Sequence, residues 1–312
     1  MRHSAVETNG IQLHVVELGN GKPVLFCHGF PDTWRGWRRQ MEAIAEAGYR
    51  AIAVDMRGYG RSSAPLSADQ YTPFHTVGDL VGLLDALRLE AVTVVGHDFG
   101  ANVAWHAAMM RPDRFTAVFG VSVPFLPRED KSFLERLREA GHNDFYMFHQ
   151  ISPEADAAWG DAEKTIPAAL YWLSATPEIG QRFNPFDPKL MFNREVQTKL
   201  PSWIDPEDVA YTISEFKRTG FHGGLNYYRA IEPGFRLASA YKGAVVHQPS
   251  YFATGAAEAM KALGIISQEY AKKYLPGLRG YLEIESAGHW PQHETPKELN
   301  AAILNFLDGL PS

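Results

Sequence analysis

The run AVTVVGHDFGANVAWHAAMM, residues 91–110, constrains the fold more than any other stretch. A β-branched segment ends at Gly96, a short polar step holds Asp98, and Gly100 and Ala101 follow at once. A helical pattern with Val103, Ala107 and Met110 on one face then continues to Pro112, which stops it. A strand that becomes a helix within three residues, with small residues on both sides of the central one, lifts that central side chain above the carboxyl end of the strand. Open α/β sheets bind their ligands at that end. Taken alone, the fragment also fits a helix capped by Asp98, because aspartate is a good N-cap.

The rest of the chain supplies partners for this unit. The segments IQLHVVEL, KPVLFC, YRAIAVDM and FTAVFGVSV are further short β-rich runs. Helical patterns alternate with the later ones. In WRGWRRQMEAIAEAG, Trp37, Met41, Ile44 and Ala45 share a face that closes on Gly48; in TVGDLVGLLDALRL, Val77, Leu80, Val81, Leu84 and Leu87 do the same. This alternation predicts the α/β class, with a mostly parallel sheet flanked by helices on both faces. After VSVPFLP the strand signals stop, and residues 125–234 read as helices and loops rich in aromatic residues and proline. The clearest helix there is DPEDVAYTISEFKRTG: Asp205 caps it, Pro206 suits its first turn, Lys217 and Arg218 fall in its last turn, and Gly220 ends it. Strand patterns return in PSYFATG and GYLEIES, and a final helix starts at a capping box, Thr295 to Glu298, burying Leu299, Ile303 and Phe306. The expected organisation is a core over residues 1–124, a helical insertion over 125–234, and the rest of the core over 235–312.

Composition narrows the function. The formal charge is −6 and no Lys/Arg block stands out, so neither nucleic acid nor an anionic membrane is expected as a partner. The single cysteine, Cys27, lies in the apolar run PVLFC and reads as a core residue. One cysteine allows no intramolecular disulfide and no multi-cysteine metal site. Neither a metal nor a cofactor is expected. There is no apolar segment near the N-terminus and no stretch of about 18 apolar residues, so the expected location is cytoplasmic.

Two further segments bear on Asp98. HGFPDTW, residues 28–34, follows the strand PVLFC, and the turn at Gly29, Phe30 and Pro31 aims a backbone N–H into the cleft. With the N–H of Phe99 it forms a candidate oxyanion hole. SAGHWPQHETP places His289 on a loop beyond a late strand. The order of nucleophile first and histidine last is that of hydrolases whose triad runs Ser…Asp/Glu…His, with Asp98 in the serine slot. The third member belongs between them, after a strand. YFATGAAEAM offers Glu258, three residues beyond Gly255, and Ser122 rules out an acid at the alternative strand end.

Together these segments resemble the α/β-hydrolase fold and, within it, the epoxide hydrolase family, over nearly the whole chain. HGFPDTW is similar to the family's HGxP loop, DMRGYGRSS to its loop after the third core strand, GHDFGA to its elbow and GHW to its histidine segment. GFHGGLNYYR resembles the stretch carrying one of the family's cap tyrosines, which places that tyrosine at Tyr228, followed by Arg229. The family generally uses two, and NDFYMFHQ is the matching early-cap stretch; its only tyrosine is Tyr146, and a shift of one position would put Phe145 in the slot. The resemblance implies a helical cap, or lid, inserted in the core. Tyr171, Trp172 and Trp203 read as packing or pocket lining.

Chemistry explains an aspartate in the elbow. Serine attacking a saturated carbon would leave a stable ether, whereas a carboxylate leaves an ester that water opens at the enzyme's own carbonyl. Asp98 therefore implies an alkylating substrate, with His289 activating the water, Glu258 orienting His289, and the N–H groups of Phe30 and Phe99 holding the oxyanion. An epoxide oxygen leaves as an alkoxide and needs an acid, which a phenol can supply. A halide needs N–H donors instead. Haloalkane dehalogenases usually carry a Trp after the nucleophile, and fluoroacetate dehalogenases an Arg; here the residue is Phe99. The expectation is hydrolysis of a small apolar epoxide, with water as co-substrate, in an apolar pocket. The runner-up is a haloalkane dehalogenase with the same nucleophile. A non-catalytic binding protein on the same fold is the third reading.

Overall fold

The computed structural model describes residues 1–196 and 198–311. The β-branched runs form eight strands: β1 (Arg2–Thr8), β2 (Ile11–Leu18), β3 (Pro23–Cys27), β4 (Arg50–Val54), β5 (Val92–His97), β6 (Phe115–Val121), β7 (Ser250–Gly255) and β8 (Leu278–Ile284). They make one sheet in the order β1-β2-β4-β3-β5-β6-β7-β8. The pairs β1–β2 and β2–β4 are antiparallel, and every later pair is parallel. Strand alternation splits the core in two. Val24 and Phe26 face α1 (Arg38–Glu46) and α13 (Pro296–Asp308), while Leu25 and Cys27 face α2 (Pro73–Ala86) and α3 (Phe99–Met110).

Sequence reasoning did not find β1. It is an edge strand with a half-exposed alternation, RHSAVET, so it pairs on one side only and carries too few apolar residues to give a signal. The capping box at Thr295 also does not form. The Thr295 hydroxyl makes no bond to the start of α13; it donates to Pro291 O at 3.2 Å and completes the turn of α12 (Pro291–Glu294). The buried face of α13 is as expected, with Leu299, Ile303 and Phe306 all in the core.

The chain leaves β3 to build β4 on one side, then crosses back to build β5 on the other. The crevice outside the carboxyl ends of β3 and β5 is thus a topological switch point. Cys27 and Gly96 are register partners, so the loop after β3 and the turn after β5 emerge side by side. The carboxyl ends of β6, β7 and β8, with α11 (Gln268–Tyr274) between the last two, continue the same rim.

Between β6 and β7 the described residues form helices: α4 (Phe133–Glu139), α5 (Tyr146–Gln150), α6 (Ala155–Trp159), α7 (Ala162–Trp172), α8 (Pro206–Thr219), α9 (His222–Arg229) and α10 (Ile231–Leu237), which runs through residue 234. Asp205 caps α8 by accepting the Glu207 and Asp208 N–H groups at 3.0 and 3.4 Å, and Gly220 closes it at φ +69°. The start of α8 is also the seat of this helical layer on the core. Arg35 reaches Asp208 at 2.6 Å, and Arg38 reaches Asp205 and Asp208 at 2.8 and 2.9 Å. Among the described residues no helix is long and apolar enough to cross a membrane.

Candidate active site

Asp98 occupies the turn between β5 and α3 at φ 54°, ψ −122°, a backbone region costly for a residue with a side chain. Its carboxylate does not cap α3. Oδ1 instead accepts the Phe30 N–H at 2.8 Å. Contact distances show why the flanking residues are small. A Cβ on Gly96 would lie 2.1 Å from Gly100 O, and one on Gly29 would lie 2.3 Å from Asp98 Oδ1. The β3 loop is stiffened by buried His28, whose Nδ1–H donates to Gly29 O at 2.9 Å while Nε2 accepts the Met56 N–H at 3.1 Å.

Three strand ends bring the expected triad together. His289, beyond β8, places Nε2 3.7 Å from Asp98 Oδ2. Its Nδ1 lies 2.6 Å from Glu258 Oε2, beyond β7. The other oxygen of Glu258 accepts the Met260 N–H at 3.0 Å, so one buried carboxylate both caps the turn at Ala259–Leu263 and fixes the imidazole. The 3.7 Å gap between His289 and Asp98 is an ion-pair separation, too long for a hydrogen bond.

The electrostatics follow from burial and from this alignment. Burial pushes the Asp98 carboxyl above the usual range, an effect tempered by His289 and by the Phe30 and Phe99 N–H groups. Burial works against the His289 imidazolium, but the charge and hydrogen bond of Glu258, with Asp98 behind them, outweigh it and hold His289 above its ordinary value.

The helical layer covers this rim and encloses a cavity of ≈ 200 Å³ against it. Asp98, Phe99, His289 and Tyr146 all contribute to its walls, and much of the rest is apolar, including Val103 and Met109. Tyr146 opens α5 and faces the cavity, whereas neighbouring Phe145 is fully buried against Phe133 and Phe186. Tyr228 lies on α9 beside this wall, edge-on to Phe99 at 4.6 Å and to Tyr146 at 6.2 Å between ring centroids. Tyr227 is committed elsewhere, donating its hydroxyl to Arg57 O at 3.0 Å. Burial first, then the neighbouring Asp98 carboxylate at Tyr146 and the Tyr146 phenol at Tyr228, push both phenols well above the ordinary range, so both stay protonated. Arg229 pairs with Asp156 at 2.5 Å and ties α9 to α6.

Sequence reasoning missed what holds His289 in place. Its carbonyl accepts from His97 Nε2 at 2.7 Å and from Ser122 Oγ at 2.9 Å, and the Glu294 carboxylate takes the N–H groups of both its neighbours. The available signals were a histidine directly before Asp98 and a glutamate five residues past His289, but both act through main-chain atoms, which a residue pattern does not reveal.

Comparison with known proteins agrees with this geometry. A family model described as the alpha/beta hydrolase fold matches residues 22–296. An epoxide hydrolase of Caballeronia sordidicola is 55% identical over 97% of this chain and 92% of its own length. Epoxide hydrolase A of Mycobacterium tuberculosis is 38% identical over 98% of this chain and 97% of its own. Among solved structures, epoxide hydrolase A of Mycobacterium thermoresistibile superposes with a TM-score of 0.90 at 38% identity, covering 99% of each chain. An epoxide hydrolase from an endophytic Streptomyces superposes with a TM-score of 0.91 at 36% identity, covering 99% of this chain and 95% of the other. With the elbow aspartate, the strand-end rim and these relatives in agreement, this chain belongs to the epoxide hydrolases of the α/β-hydrolase fold.

Proposed function

We propose that the protein opens small, largely apolar epoxides to vicinal diols through a covalent ester on Asp98. The observation that carries this reading is the position of Asp98, with Oδ1 held by the Phe30 N–H and Oδ2 turned toward His289 in a cavity that Tyr146 shares. Oδ2 attacks a ring carbon, the carbon–oxygen bond breaks, and the departing oxygen takes a proton from the tyrosine pair, leaving a tyrosinate. Water then adds to the ester carbonyl while His289 takes one of its protons. The Phe30 and Phe99 N–H groups hold the oxyanion that forms on Oδ1. Collapse breaks the bond to the substrate oxygen, which takes the proton from His289. The regenerated acid returns the second water proton to the tyrosinate, so the sum is epoxide plus water to diol.

In this reading residues 125–234 are the cap, and the cap supplies the acid while the core supplies the nucleophile and base. The side chains beside Asp98 favour an epoxide over a halide, since Phe30 and Phe99 present hydrocarbon where a halide would need N–H donors. A cytoplasmic location is part of the same reading, supported by a single, buried, unpaired cysteine.

The test is one turnover in ¹⁸O-water. Label is expected in the Asp98 carboxylate, and the first diol should carry an unlabelled new oxygen. Label in the diol and none in the protein would mean direct attack by water. Halide release from haloalkanes with all epoxides left intact would replace the substrate class while keeping the nucleophile.

Glu258→Gln should slow ester hydrolysis far more than ester formation. The sign of its pH effect is fixed by charge. Removing the carboxylate makes the imidazolium less favourable, so the acid limb of hydrolysis, which needs neutral His289, moves to lower pH. Stopped-flow measurement of both steps between pH 5 and 9 checks this, and unchanged hydrolysis would remove Glu258 from the mechanism.

A further inference from the structure

The loop carrying His289 is fastened to the helical layer as well as to the core. The His289 N–H donates to Leu173 O at 2.9 Å, just past α7. On either side, Gly288 and Trp290 donate their N–H groups to Glu294 Oε1 at 2.9 and 3.0 Å. The second oxygen, Oε2, accepts the Ala175 N–H at 2.8 Å. Glu294 thus joins two chain segments more than a hundred residues apart. The approach is close enough that a Cβ on Gly288 would lie 2.5 Å from Leu173 O. A carboxylate suits the position because it accepts on both oxygens and donates on neither.

We infer that Glu294 is a positioning residue for ester hydrolysis, locking loop 288–290 to residues 173–175 so that His289 is aligned only while the helical layer is seated. The inference rests on the reading of His289 as the base that activates water. The group is large enough to matter, because main-chain misplacement near 1 Å at a reacting base costs about 10²-fold in rate. Glutamine cannot substitute cleanly. If its oxygen keeps the Gly288 and Trp290 donors, its NH₂ meets the Ala175 N–H, donor against donor. The link to the helical layer is lost while the loop's own clip survives. Against burial, Glu258, Asp98 and then Glu294 favour the His289 imidazolium; burial raises the Glu294 carboxyl itself while its three N–H donors lower it, and His97, held neutral by burial, lies on the remaining side.

The experiment measures alkylation and hydrolysis separately, by rapid quench with an accepted epoxide, in wild type, Glu294→Gln and Ala175→Pro. The proline variant deletes the one N–H that Glu294 takes from the helical layer and leaves the charge in place. In both variants alkylation should stay within about threefold of wild type and hydrolysis should fall about 10- to 10²-fold. The acid limb of hydrolysis should move to lower pH in Glu294→Gln and stay put in Ala175→Pro, a difference that loss of packing would not produce. Wild-type hydrolysis in Ala175→Pro overturns the inference, as does an equal loss of both steps in each variant; the proline variant decides the matter if Glu294→Gln does not fold. Failure of His289→Gln to accumulate any ester would instead strike the underlying mechanism.

Discussion

His289→Gln should convert the protein from a catalyst into a reagent that reacts once. Nothing in the first step needs the imidazole as a base, because in this reading Asp98 attacks as its carboxylate, with Oδ1 held by the Phe30 N–H. Alkylation should therefore proceed, slowed mainly by the loss of the imidazole 3.7 Å from Oδ2. The second step loses the group that, in the reading above, takes a proton from water at the ester. Steady-state turnover should fall by about 10⁴-fold or more, the scale on which losing one member of a triad is felt. Intact-mass measurement should show the protein heavier by the whole substrate, and peptide mapping should place the addition on the peptide holding Asp98. An unmodified protein with residual steady turnover would rule out the ester.

The second large effect should come from the phenols, and it should fall on the opposite half of the reaction. Both hydroxyls are buried, protonated and near the nucleophile, so either can meet the alkoxide as the ring opens. Single changes to Phe should slow alkylation modestly, because the remaining tyrosine still donates. The double variant Tyr146→Phe/Tyr228→Phe should lose about 10²–10⁴-fold in alkylation, the usual weight of a positioned general acid, with hydrolysis of any ester formed little changed. Tyr146 shares the cavity with Asp98 while Tyr228 stands beside its wall, so Tyr146→Phe is expected to be the more damaging single change. Normal alkylation in the double variant would remove the tyrosines from the reaction. These two results together separate ring opening from ester hydrolysis by the part of the fold that performs each.

The elbow was legible in the sequence because its spacing is enforced by contact: Gly96 and Gly100 touch, and no larger side chain fits between them. The chain order of strand-end residues pointed to Glu258 between Asp98 and His289, and the three side chains do come together. The tyrosines of the helical layer were harder. Phe145 and Tyr146 are adjacent aromatics at the start of a five-residue helix, and only packing shows that Phe145 turns inward while Tyr146 faces the cavity. β1 stayed hidden because an edge strand needs little apolar content. Thr295 misled because its hydroxyl serves the preceding helix instead of its own. Glu294 was invisible for a different reason, since every partner it has is a main-chain N–H that any residue would offer.

The hydrogen bond from the His289 N–H to Leu173 O has a practical consequence for anyone rebuilding this enzyme. Exchanging the whole helical layer between relatives looks like the natural way to transplant a new substrate pocket, because the nucleophile and base stay behind on the sheet. A chimera cut on that principle would inherit foreign main chain at 173–175 and so a foreign seat for its own histidine. Such grafts should bind and become alkylated by the new substrate yet stall as esters. Keeping the recipient's residues 173–175 within the transplanted segment should restore turnover.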